Sequence, residues 1–223
     1  MSFSQKTVDF LFENRMHDSR EWFKTHKEEY QALVIEPMTQ LINDVAPTIA
    51  KIDPQIAVDP KHISRLYRDA RYAKDSVFRD HVWYTFGRTR DQYMGFPSFY
   101  FSIGAAGISY GCGYYCASSK TIQAVRELIL SDDKSYKKAQ KAYAAQSVFE
   151  MFGEPYKRNK FPNESPEKQN WLNRKGIGMS FDSNDPDMMF SDNLAKRVAA
   201  DFLAIRAVYD FLLTAEHRAS IME

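Results

Sequence analysis

The sequence predicts an α+β fold in which a sheet from the middle of the chain, antiparallel or mixed, packs against N- and C-terminal helices. Three observations carry this reading. Apolar residues recur at helical spacing from Val8 to Ile49 and again from Thr121 to Leu212. The stretch between them holds runs rich in β-branched and aromatic residues, from Ile63 to Tyr115. The connections between those runs are too short for parallel crossovers, which favours hairpins or a meander with the helices on one face. With 223 residues, 44% of them hydrophobic, the chain is long enough for one domain spanning 1–223 with a substantial core.

Taken in order, Ser4 caps a first helix that carries Val8, Leu11 and Phe12 and ends near Arg15. Asp18 or Ser19 opens a second helical stripe running from Trp22 to about Ile49, which Pro37 and Pro47 should kink or break. Asp53-Pro54 and Asp59-Pro60 mark turns, because the residue before proline is pushed out of the helical region. Strands are expected at 63–69, 82–86, 99–103 and 107–115. Ser118 or Ser119 then caps a helix over 121–130, and a further helix is expected over 135–152. Residues 154–170, polar and proline-bearing, read as a loop before a short apolar piece at 176–181. A last helix is expected over 192–213 with Leu194, Val198, Phe202, Ile205, Val208, Tyr209 and Leu212 facing the core.

Thirty Lys and Arg against 29 Asp and Glu leave a net charge of +1, which argues against a global field that would draw the protein onto nucleic acid or an anionic membrane. The N-terminus lacks the pattern of a secretory signal, and no apolar run approaches ~18 residues. No membrane span is therefore expected, and a cytoplasmic location is. Cys112 and Cys116, on one face of the strand expected at 107–115, would stand ~13 Å apart, too far for a disulfide. Reduced thiols follow. The histidines are scattered without metal-ligand spacing, so no metal site is expected.

Charge is concentrated locally. The run from Ser64 to His81 interleaves Arg65, Arg68, Arg71, Lys74 and Arg79 with Asp69, Asp75 and Asp80 and with aromatic rings. Guanidinium groups present several fixed donors and need anionic or carbonyl partners, which are either the protein's own or a ligand's. The candidate ligand-binding residues are therefore Arg65, Arg68, Arg71, Lys74 and Arg79, with Trp22 and Tyr100 as ring-bearing pocket walls. Asp69 and Asp75 are the candidate proton-transfer carboxylates.

Several blocks, taken together, resemble one family pattern. They are Asn14 with Ser19-Arg20-Glu21-Trp22-Phe23 and His26-Lys27, then Ser64-Arg65 with Arg68-Asp69-x-Arg71, and then Arg79-Asp80-His81 with Trp83. Pro97-x-Phe99-Tyr100-Phe101, Gly111-x-Gly113-Tyr114 and Trp171-Leu172-Asn173-Arg174-Lys175 continue it. In these blocks the chain resembles the family catalogued as domain of unknown function 2461. The resemblance implies a single soluble α+β domain and implies no reaction, because the family has no established one. The chain departs from the family pattern at Asp75-Ser76-Val77-Phe78-Arg79, where a lysine and a proline are missing.

The functional expectation is a pocket for a small anionic ligand, bearing phosphate or carboxylate, at the Arg/Asp/Lys cluster. The alternative is a structural or nucleic-acid- or protein-binding module in which the cluster is an internal ion-pair network or a basic contact surface. Whether the chain is an enzyme, which cofactor it uses and how it oligomerises are open in the sequence.

Overall fold

Side chains fix the first helix boundaries. In the computed structural model, which describes residues 2–69, 71, 73, 75–88 and 96–222, α1 (Gln5–His17) starts at Ser4, whose N–H donates to Thr7 Oγ1 at 3.1 Å. It ends at Asp18, held in the left-handed region at φ 45° with its N–H on the Asn14 carbonyl. Ser19 Oγ then accepts from the Trp22 N–H to start α2 (Arg20–Thr25), followed by α3 (Lys27–Tyr30) and a π-helical turn at Gln31–Ile35. From there α4 (Glu36–Ile52) takes Pro37 directly after the π turn, with the Leu33 carbonyl four residues back accepting from Thr7 Oγ1 at 2.8 Å instead, and runs on through Pro47. The long stripe is therefore interrupted at His26 and widened by the π turn ahead of Pro37, but is helical through both prolines.

Among the described residues the sheet has five strands, β1 (His81–Phe86), β2 (Ser98–Gly104), β3 (Gly107–Gly113), β4 (Glu150–Phe152) and β5 (Gly178–Ser183), in the order β1-β2-β3-β5-β4. Every pairing is antiparallel. Strand alternation sends Val82, Tyr84, Phe86, Phe99, Phe101, Ile103, Ile108, Tyr110, Cys112 and Met179 to one face, where all are buried. Helices cover that face. Phe202 of α9 (Leu194–Ala204) lies against the rings of Phe86, Phe99 and Tyr110, Tyr209 of α10 (Arg206–Ser220) stacks on Phe99, and Phe3 stacks on Phe101. Behind them α10 packs on α5 (Ser119–Leu130) and α6 (Lys134–Ala144), and α7 (Pro166–Leu172) packs on α5. Each fully buried large apolar side chain contributes roughly 1.5–3 kcal/mol, so this single continuous core holds the two helical parts of the chain to the sheet.

Five expected elements are redrawn. The loop expected over 154–170 ends in α7, which Ser165 starts by accepting from the Lys168 N–H with Pro166 in the first turn. The strand expected over 63–69 is reduced to one bridge, Tyr67 to Phe78, because the Arg79 guanidinium takes the carbonyls of Arg65 and Tyr67 that a strand partner would have used. The helix expected over 135–152 stops at Ala144, where the Gln146 amide captures the N–H groups of Val148 and Phe149 and folds the chain into β4. The apolar piece at 176–181 becomes β5, inserted between β3 and β4. The last helix is two, α9 and α10, with a break at Ile205 that keeps the apolar stripe on the core. Strand β3 also ends at Gly113, so Cys112 is buried on the helix side while Cys116 lies beyond the strand and is exposed, and both are free thiols. Among the described residues no helix is long and apolar enough to cross a membrane.

Candidate functional site

Helices cover one face of the sheet, and among the described residues the other is left open. The same alternation that buries the inner residues turns His81, Trp83, Thr85, Ser98, Tyr100, Ser102, Ser109, Ser180 and Asp182 outward, and together with Tyr115 and Phe152 they line a cleft of about 540 Å³. The register fixes how these groups stand. Trp83 pairs with Ser102, Ser102 with Ser109, and Ser109 with Asp182, so four outward side chains form one row across β1, β2, β3 and β5. A second row runs from Thr85 to Tyr100, Gly111 and Ser180.

Gly111 keeps the floor low. A Cβ there would stand 1.9 Å from the Met179 carbonyl oxygen, so no side chain fits between Tyr100 and Ser180. The Tyr100 hydroxyl is 3.1 Å from Ser109 Oγ, and burial raises its pKa above the ordinary phenol value. The phenol therefore stays protonated and can donate to a ligand acceptor. At the β1 end His81 closes the cleft and also lines an adjoining recess of about 500 Å³ beneath the β2–β3 turn. Its Nδ1 lies 2.8 Å from Asp80 Oδ1, a bond that holds the Asp80 carboxyl below its usual pKa and leaves Nε2 as the ring nitrogen for other partners. Such a pair can hold or move a proton. Arg79 stacks over Trp83 with its guanidinium carbon 5.0 Å from the ring centre, which adds a cation to the same edge.

The expected site residues divide between this cleft and a neighbouring hairpin. Tyr100 lies in the cleft. The arginines lie on the hairpin made by residues 65–69 and 75–79, which runs along the open edge of β1, with Ser64 N–H on the Trp83 carbonyl and Trp83 N–H on Ser64 Oγ. There Arg68 donates to Ser76 Oγ at 2.7 Å, Arg71 pairs with Asp69, and Arg79 donates to two backbone carbonyls. The side-chain bonds from Arg71 hold Asp69 down to about pKa 2, which makes it a weak base at neutral pH. Arg65 and Asp75 are exposed and make no ion pair among the described residues, and Lys74 lies outside those residues. Trp22 stands apart from both groups, stacked between His17 and His26 with ring centres 4.9 and 4.0 Å away.

Two features that matter here were not singled out in the sequence. Asp182 and Ser180 sit on β5, whose placement beside β3 no local pattern announces. Asp18 was read as a helix cap, but its carboxylate accepts the N–H groups of Val77 and Phe78 at 2.9–3.0 Å and ties the hairpin to the end of α1. Among the described residues no group of three or more His, Cys, Asp or Glu side chains is placed to hold a metal ion.

Comparison with curated proteins returns no match. A family model described as "Conserved hypothetical protein (DUF2461)" matches residues 6–211, a span that includes every strand, the hairpin and the cleft. The chain therefore belongs to the DUF2461 family.

Proposed function

We propose that the open face of the sheet binds a small hydroxylated ring ligand carrying an acidic group, of the size and chemistry of a sugar acid or sugar phosphate. The observation that carries this reading is the row Trp83–Ser102–Ser109–Asp182 on the floor of a cleft of about 540 Å³, a volume typical of small-ligand sites. Trp83 and Tyr100 offer ring faces to an apolar sugar face, and the serine hydroxyls both donate and accept. The row is electrically polarised. Asp182 stands three strand spacings, roughly 14 Å, from β1, where His81 and the Trp83-stacked Arg79 sit. A ligand lying along it directs hydroxyls to the Asp182 carboxylate and its acidic group to the β1 edge. Arg65, exposed on the adjoining hairpin, is the further cation on that side.

A thermal-shift screen across sugars, sugar acids and sugar phosphates tests this, since a ligand selective for the folded state raises the melting temperature by mass action. An acidic sugar is expected to raise it by several degrees where the neutral sugar raises it less. Trp83→Ala and Asp182→Asn are each expected to remove most of the shift. Asp182 is exposed, so its variant keeps the fold and isolates the binding contribution. No shift from any of the three classes, or a shift that survives both substitutions, overturns the reading.

A further inference from the structure

A second one-sided concentration of charge lies away from both the cleft and the hairpin. Between Lys134 and Lys175 there are ten Lys and Arg residues against four Glu, six units positive in a chain whose net charge is +1. On α6, Lys134, Lys137 and Lys141 recur at i, i+3 and i+7, so they form one exposed stripe, while Tyr136 and Ala139 on the opposite side are buried. Among the described residues none of these three lysines has a carboxylate partner, and neither Lys157 nor Arg158 has one. Lys168 and Lys175, by contrast, are paired with acids.

Beside the stripe, a groove of about 440 Å³ separates α6 from α7. Its aromatic floor is Tyr143 and the 3% exposed Trp171, whose rings meet edge to face at 5.8 Å. Gln140 and Asn170 supply amide groups on its two sides, and Lys137 and Lys141 form its rim. Glu167, also on the lining, supplies an acceptor. The cationic surface continues past α7, because Arg174 bonds the Asn170 carbonyl and side chain, and the next ring, Tyr156, has Lys160 3.8 Å from its centre and the Arg126 guanidinium 5.2 Å away.

We infer that the α6–α7 groove is a binding site for single-stranded nucleic acid. An unstacked base enters the groove onto Tyr143, its edge meets Gln140, Asn170 and Glu167, and the flanking phosphates lie on the lysine stripe. Each part of the site has a matching demand in the ligand. Amide and carboxylate groups pair with base edges, which an acidic peptide lacks, and a recess admits a base where a flat membrane surface would leave it empty. The stripe also has the right length. Lys134 to Lys141 spans roughly 10.5 Å of helix axis, enough to meet the phosphates on both sides of one inserted base. The near-zero net charge of the whole chain does not oppose this, since phosphate contacts act within a Debye length of about 8–10 Å.

Fluorescence anisotropy with labelled oligo-uridine and oligo-thymidine tests the site. Binding is expected at low salt, with log K falling linearly against log salt at a slope of about −2 to −3, as for three or four phosphate contacts on a single strand. The double substitution Lys137→Gln, Lys141→Gln touches only exposed side chains and should weaken binding about tenfold and flatten the slope by about 1.4. Tyr143→Ala should weaken binding about fivefold or more with the slope unchanged, because it removes stacking and no charge. Lys6→Gln with Lys24→Gln, on α1 and α2, should change nothing. Absence of salt-dependent binding, or a Lys137/Lys141 double variant that binds like the wild type, overturns the inference. So does equal competition by poly-glutamate or by anionic phospholipid vesicles.

Discussion

Two groups of charged residues in this protein look alike in composition and behave as opposites. The hairpin of residues 65–69 and 75–79 packs arginines and aspartates into a few positions of sequence, and most of them are exposed to solvent and satisfied by neighbours on the same hairpin. The second group is Asp53, Arg88 and Tyr209, three residues 35 and 156 positions apart that meet inside the core. Arg88 Nε donates to Asp53 Oδ2 at 2.9 Å with the side chains 9% and 5% exposed, and the Tyr209 hydroxyl donates to the same oxygen at 2.5 Å. Dense charge in sequence marks a surface feature here, while the ion pair with the most at stake is spread along the chain. The reason is desolvation. A buried charge that loses its partner is left without water, whereas an exposed one regains it.

The largest effect is therefore expected at the buried group. Asp53→Asn leaves the Arg88 charge buried without a counter-charge and should cost about 3–5 kcal/mol, read as a lower midpoint in denaturant unfolding. The pH dependence follows from the same contacts. Burial alone would push the Asp53 carboxyl up, but hydrogen bonds from Tyr209, the Gln55 N–H and Arg88, with the Arg88 charge, outweigh it and hold the pKa below the ordinary value. A carboxyl depressed in the folded state contributes stability that is complete above its unfolded pKa of about 3.9 and is lost as the pH falls through the folded value. The wild type should thus lose stability below about pH 4 more steeply than Asp53→Asn. Equal acid limbs for the two proteins would show that the carboxylate is not the titrating clasp.

An intermediate effect is expected where the exposed hairpin joins the body of the protein. The Asp18 carboxylate is the acceptor for the Val77 and Phe78 N–H groups, and hydrogen bonds to a charged group contribute roughly 1.5–3 kcal/mol. Asp18→Ala removes that acceptor and also places a β-carbon residue without local side-chain bonding at φ 45°, so a loss of about 2–3 kcal/mol is expected. Asp18→Asn tolerates the left-handed backbone and keeps one acceptor oxygen, and should lose about half as much. If the two variants unfold at the same denaturant concentration, the carboxylate contacts do not anchor the hairpin.

These contrasts also explain what could be read in advance. The α+β class and strands β1 to β3 were legible because alternation in Phe99-Tyr100-Phe101-Ser102-Ile103 is a local signal that also separates the buried residues from Tyr100 and Ser102 on the open face. Strand β5 was not legible as a strand. Met179-Ser180-Phe181-Asp182 alternates, but over too few residues to fix its type, and its pairing with β3 depends on a contact across about seventy residues that only the assembled core selects. The cleft residues Ser180 and Asp182 came with it. Asp53 and Arg88 were invisible as a pair for the same reason, since each carries only local information about a turn or a strand end. The hairpin arginines drew attention because residue type is local, but their exposure and their partners are not.

The smallest effect should appear where the sequence looked most eventful. Arg71 and Asp69 make a close pair on the surface, with their side chains 78% and 40% exposed. Arg71 also donates its backbone N–H to Asp69, so the turn persists when the guanidinium is removed. Arg71→Ala should therefore leave the melting temperature unchanged within the precision of a thermal scan at physiological salt, because solvent and ions replace what the pair supplies. The side-chain bonds from Arg71 that hold Asp69 near pKa 2 would be lost, and the Asp69 carboxyl should move back toward its ordinary value. Carbon-detected NMR titration of Asp69 reads that movement directly. An upward shift in Asp69 without a change in melting temperature separates the two regions cleanly, since the same removal of a partner at Asp53 must unfold the protein more easily. A marked fall in melting temperature for Arg71→Ala would instead make the hairpin a second structural clasp and erase the distinction between them.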